Sequence, residues 1–126
     1  MSDLYISLLS TYQRIPAFEL ILGMRSDSNQ TEWVTNVSCT SCNVSQFGQY
    51  SNIEYMSNLN SIFQVMCLYR NEPICSFLKI NSASGNLISI SKMDYGRPAD
   101  FLFGWCLNLE SDGNSTLFAL MVFGNT

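Results

Sequence analysis

FELILGMRSDSNQTEWVTNVSCTSC, residues 18–42, is the stretch whose reading decides the fold. FELIL (18–22) is a short apolar run of the branched and aromatic residues that pleated strands favour. EWVTNV (32–37), with Trp33, Val34, Thr35 and Val37, is again made of the aromatic and branched residues that strands favour. Between them GMRSDSNQT (23–31) is polar, and a connection of this kind between two strands is where an enzyme would place its chemistry. The pair therefore reads as strand, polar loop, strand.

Working outward, the same short-strand pattern recurs along the chain. Strands are expected over 4–9, 18–22, 33–37, 62–69, 74–80, 87–91, 101–109 and 117–123, with turns at 70–73, at NSASGN (81–86) and at Asp112-Gly113-Asn114. The runs 101–109 and 117–123 are nearly continuously apolar, which suggests strands buried on both faces. No apolar pattern of period 3.6 lasts beyond two turns, so helices are not expected. The fold class expected is all-β, a sandwich or a closed or partly open barrel. At 126 residues the chain is expected to form one domain, 1–126.

Composition bounds the chemistry. The chain carries 6 basic and 10 acidic residues, a net charge of -4, and its basic residues are scattered. A nucleic-acid-binding surface is not expected from this. There is no histidine, which removes Ser–His and Cys–His nucleophiles, histidine bases and nearly all ordinary catalytic zinc sites. No cofactor and no metal is expected. No segment approaches the ~20 apolar residues of a membrane helix. The N-terminus MSDLYISLLSTY lacks the basic region and cleavage site of a secretory leader.

Two features nonetheless point to a secretory ancestry. Sequons occur at Asn29, Asn36, Asn43 and Asn114, a mild excess over chance among twelve asparagines. Five cysteines in a small chain suit an oxidising compartment, with at least one thiol left over. Cys39-Thr40-Ser41-Cys42 lacks the second pair of ligands that zinc needs and the helix N-terminus that would activate a thiol. A loop disulfide and two unpaired thiols remain open for it. Cys67 and Cys75 flank the 70–73 turn and could face each other across a hairpin, and Cys106 reads as a packed free thiol. Asp27, Glu32, Asp94, Asp100, Glu110 and Asp112 read as solvated acids at strand ends and turns, Asp27 standing out for its place in the polar loop.

The order LYIS, Pro16, FELIL, polar loop, Trp33-Val34, then Cys39 and Cys42 resembles the N-terminal lobe of pepsin-like aspartic peptidases. Phe77-Leu78-Lys79-Ile80 followed by Ser82-Ala83-Ser84-Gly85 is similar to that family's flap hairpin. Phe101-Leu102-Phe103-Gly104 resembles the strand after the flap, and 117–124 sits where the family has Asp-Gly-Ile-Leu-Gly-Leu-Gly. The resemblance implies a peptidase lobe with its catalytic aspartate between FELIL and Trp33. The chain departs from the family there. Counting forward from FELIL the aspartate falls on Gly23, and counting back from Trp33 it falls on Ser26; Asp27 misses by one. The flap keeps only Asn81 between Ile80 and Ser82, and Ala119-Leu120 replaces Asp-Gly.

Catalysis in this family needs two carboxylates that share a proton, and one lobe supplies only one. The resemblance thus implies a catalytically inactive lobe acting as a binding or inhibitory module, with Gly23, Ser26 and Asp27 as the remains of the site. Its partner would be a protein or peptide, a second lobe or a second copy of itself. The alternatives are a portion of an active aspartic endopeptidase using Asp27, and an unrelated small secreted β interaction module. A lone lobe is expected to expose an apolar face, and Phe101, Phe103, Trp105, Phe118 and Phe123 are the residues to divide between that face and the core.

Overall fold

The computed structural model describes residues 2–9, 18–38, 48–69, 74–93 and 101–124. Its elements are strands throughout, apart from one 3-10 turn at Ser57–Leu59. Strands β1 (Leu4–Leu9), β2 (Phe18–Arg25) and β3 (Gln30–Ser38) form an antiparallel sheet in chain order. A second antiparallel sheet contains β4 (Gly48–Tyr50), β5 (Glu54–Met56), β6 (Ser61–Leu68), β7 (Cys75–Asn81) and β8 (Leu87–Lys92). Within it β4 and β5 pair with successive parts of β6, which then pairs with β7 and β7 with β8. Finally, β9 (Phe103–Ser111) and β10 (Leu117–Gly124) form a hairpin with a register shift after Leu120. The class is all-β, and none of these sheets closes into a barrel.

The layers follow from the two-residue period of β6. Ile62, Met66 and Leu68 project to one side, where they join Ile21, Trp33 and Val37 of the first sheet and Leu78 and Ile80 of β7. Val65 and Cys67 project to the other side and meet Cys106 and Leu109 of the hairpin, together with Cys75 and Met93. The β4–β8 sheet is thus the middle layer, with the β1–β3 sheet on one face and the β9–β10 hairpin on the other. Each fully buried Ile, Leu or Val in these clusters contributes about 1.5–3 kcal/mol.

This arrangement corrects the expectation for the last two strands. It is β6 that is buried on both faces, while β9 and β10 are covered on one. Along β10, Leu117, Ala119, Met121 and Phe123 turn inward to the second core, and Phe118, Leu120 and Val122 turn outward into solvent. Among the described residues, nothing lies beyond this outer layer to cover a second apolar face.

Two short strands, β4 and β5, arise in the Ser/Asn-rich segment where none was expected. Tyr50 and Ile53 pack on the first core. Between these strands the Asn52 amide is fixed to β9: Nδ2 donates to the Leu109 carbonyl at 2.8 Å and Oδ1 accepts from the Leu109 N–H at 2.9 Å. A side chain here takes the part of a neighbouring strand.

Candidate functional site

The structure puts FELIL and EWVTNV side by side as β2 and β3, with Phe18 opposite Ser38 and Gly23 opposite Trp33. The polar loop between them is much shorter than 23–31. Gly23 to Arg25 continue β2, Gln30 and Thr31 begin β3, and only Ser26 to Asn29 turn. Asn29 closes the turn with φ 53°, the left-handed conformation that asparagine tolerates better than most residues. The extra length in the sequence is taken up as strand, with a register shift after Gly23.

Gly23, Ser26 and Asp27 are each committed to this hairpin. Gly23 lies under the Trp33 ring so closely that a Cβ there would collide with the indole, and no carboxylate side chain would fit. The Ser26 N–H and hydroxyl both donate to Asp3, at 2.8 Å and 2.6 Å. Asp27 forms a two-pronged pair with Arg25, at 3.2 Å from Nε and 2.7 Å from Nη2. The hydrogen bond from Arg25, with its charge, holds the Asp27 carboxyl below its usual range, and the two bonds from Ser26 do the same for Asp3. Both carboxyls are fully exposed. A proton-sharing pair would push one of them up instead.

The region resembling a flap is the β7–β8 hairpin. The Asn81 side chain caps its turn, accepting from Ala83 and Ser84 N–H groups at 2.9 Å and 3.0 Å. The turn lies directly on β3: Trp33 Nε1 donates to the Ser82 carbonyl at 3.0 Å, and the Thr35 hydroxyl donates to the Gly85 carbonyl. Gly85 has φ 77°, and a Cβ on it would come within 2.5 Å of the Trp33 ring. The β2–β3 hairpin and the β7–β8 turn are thus in direct contact.

Elsewhere the hairpin expected from the cysteine spacing is present. Cys67 and Cys75 are opposite one another on β6 and β7 and form a disulfide. Cys106 is a buried free thiol, its pKa raised by burial. Cys39, Cys42, Asn43, Asp94 and Asp100 lie outside the described residues. Asn29, Asn36 and Asn114 are all exposed, as a glycan acceptor must be. No group of three or more His, Cys, Asp or Glu suited to a metal ion occurs among the described residues.

One feature was not foreseen from the sequence, and one expected feature, an exposed apolar face, is now located. A cavity of about 460 Å³ opens beside the disulfide, lined by Gln49, Cys67, Tyr69, Phe103, Gly104 and Trp105. Among the described residues its lining is mostly apolar and aromatic, which suits an uncharged apolar group. Next to it, the outward face of the β9–β10 hairpin exposes Trp105, Leu107, Phe118, Leu120 and Val122. Of the aromatics left undivided by sequence, Trp105 and Phe118 belong to this face, Phe101 and Phe123 pack inward against each other, and Phe103 lines the cavity. The alternation within LFALMVFG was the available signal, hidden because both faces are apolar.

Comparison with protein-family models, with characterised proteins and with solved structures finds nothing that matches this chain.

Proposed function

We propose that this chain is a non-catalytic, aspartic-peptidase-like β domain whose work is to bind another protein. The observation that carries the reading is the state of the β2–β3 turn. Asp27 is paired with Arg25 and Asp3 with Ser26, and these bonds hold both carboxyls below their usual range. Acid–base hydrolysis by paired carboxyls needs one protonated partner at working pH, and neither of these is poised for that. The adjacency of β2 and β3 and the hairpin at β7–β8 support the family resemblance. A secreted setting is supported by the disulfide and by the exposure of three sequon asparagines. No helix among the described residues is long and apolar enough to cross a membrane.

The test is incubation of the chain with denatured haemoglobin or casein between about pH 3 and 5, where paired carboxyls of this type act, with and without pepstatin. No pepstatin-sensitive cleavage is expected, and Asp27→Asn should behave as the parent chain does. Cleavage that pepstatin blocks and Asp27→Asn abolishes would replace this reading with that of an active endopeptidase.

A further inference from the structure

Building on the reading of the chain as a binding module, we propose that its partner is a second copy of the same chain, docked through the outward face of the β9–β10 hairpin in a two-fold dimer. The relevant side chains are Trp105 (50% exposed), Leu107 (47%), Phe118 (60%), Leu120 (61%) and Val122 (41%). Taking about 200 Å² for each in full exposure, these fractions leave about 500 Å² of apolar surface on one copy. That is at the upper end of what a monomer normally exposes in one patch, about 300–600 Å². Two such faces fully buried against each other remove about 1,000 Å², the minimum for an interface between proteins and the size of a weak, reversible one. Two of the five are aromatic, the residue class that anchors interfaces.

The pattern on the face is also self-complementary. Its polar residues are Asn108, opposite Leu120, where a two-fold would set the two amides against each other, and Glu110, opposite Phe118 at one end; the Asn108 amide donates to the Glu110 carboxylate at 3.0 Å. A two-fold axis crossing the strands at Leu120 sets Phe118 of one copy over Val122 of the other. The two Glu110 side chains then fall at opposite ends, about 14 Å apart along the strands at about 3.4 Å per residue. That exceeds the screening length of about 8 Å at physiological salt, so like charges do not oppose the contact. The outward side of the β1–β3 sheet is the poorer choice. It exposes Leu4, Ile6, Leu8 and Val34, but β3 interleaves these with exposed Glu32 and the sequon Asn36.

The experiment is sedimentation equilibrium of the intact chain across a concentration series up to tens of micromolar, a range in which interfaces near the size threshold assemble. The parent chain is expected to approach twice its 14.2 kDa mass. Leu120→Glu, which points to solvent and leaves both cores untouched, is expected to weaken association by about tenfold or more. Ile88→Glu, a change at a half-exposed position on β8, should associate as the parent does. Far-ultraviolet circular dichroism establishes that each variant is folded, and Phe118→Ser serves as a second disruption of the same face. A parent chain that stays monomeric throughout, or a dimer indifferent to both Leu120→Glu and Phe118→Ser, overturns the proposal. Such a result leaves the non-catalytic reading standing, whereas pepstatin-sensitive cleavage would overturn that reading and leave the dimer to its own test.

Discussion

Asn52 shows how much of this fold depends on single polar side chains. Its amide satisfies both backbone groups of Leu109, a residue with no solvent exposure, and thereby fixes the hairpin layer to the middle sheet. Asn52→Ala removes two hydrogen bonds and leaves a buried N–H and C=O without partners, so a loss of about 1–3 kcal/mol is expected. Asn52→Asp keeps the acceptor but sets a carboxylate against the Leu109 carbonyl, and should cost at least as much. Urea unfolding followed by tryptophan fluorescence measures both; midpoints within error of the parent chain would show that the contact is dispensable. Nothing in the sequence identifies this residue, since it is one of twelve asparagines and lies in a segment that reads as loop. The same limit applies to Ser26 and Gly23. Their places relative to FELIL and Trp33 were countable, but the Asp3 partner of Ser26 is 23 residues away and the indole over Gly23 is fixed by pairing register. Long-range contacts of this kind decide what a site can do and leave no local signal.

Individual elements were far more legible, because period-two alternation and turn residues are local. The expected strands over 4–9, 87–91 and 117–123 match β1, β8 and β10 to within one residue, and the Asp112-Gly113-Asn114 turn lies between β9 and β10 as read. Boundaries failed where a strand carries polar residues, as at Gly23–Arg25 and Gln30–Thr31, since pairing with a neighbour outweighs weak propensity. The β6–β7 hairpin was legible through its cysteines, and it offers a quantitative test. Cys67 and Cys75 are separated by eight residues, and closing so short a loop stabilises the folded state by about 2–3 kcal/mol in the chain-entropy account. The Cys67→Ala/Cys75→Ala double variant should lose about that amount, and reductant should lower the parent's melting temperature without affecting the variant's. Cys106→Ala, by contrast, should leave the reductant sensitivity intact. An equal response of parent and double variant to reductant would place the relevant disulfide elsewhere.

At the scale of the whole molecule, three layers with one hairpin face left apolar make a structure suited to association, while its acids make one suited to neutral pH. Asp112 Oδ1 accepts the N–H groups of Asn114, Ser115 and Thr116 at 2.8, 3.0 and 3.1 Å, and these bonds hold its pKa below the ordinary 3.8. Asp3 and Asp27 are lowered for the reasons given above. A group whose folded pKa is depressed binds fewer protons folded than unfolded, so stability rises with pH through that range. The contribution of all three is complete above the unfolded value near 3.8 and disappears as pH falls through the folded values. With no histidine in the chain, no side chain of that type titrates between about pH 5 and 7. The melting temperature should therefore be flat over that interval and fall below about pH 4. Asp112→Asn retains an oxygen able to accept the three N–H groups but cannot titrate there; it should lower the melting temperature at neutral pH and flatten the acid decline. Scanning calorimetry at stepped pH distinguishes this from a general acid collapse, in which variant and parent would run parallel. The carboxylate bonds that shape the β2–β3 and β9–β10 turns thus persist down to the ordinary carboxylate range and are lost only below it, as the lowered folded values are passed.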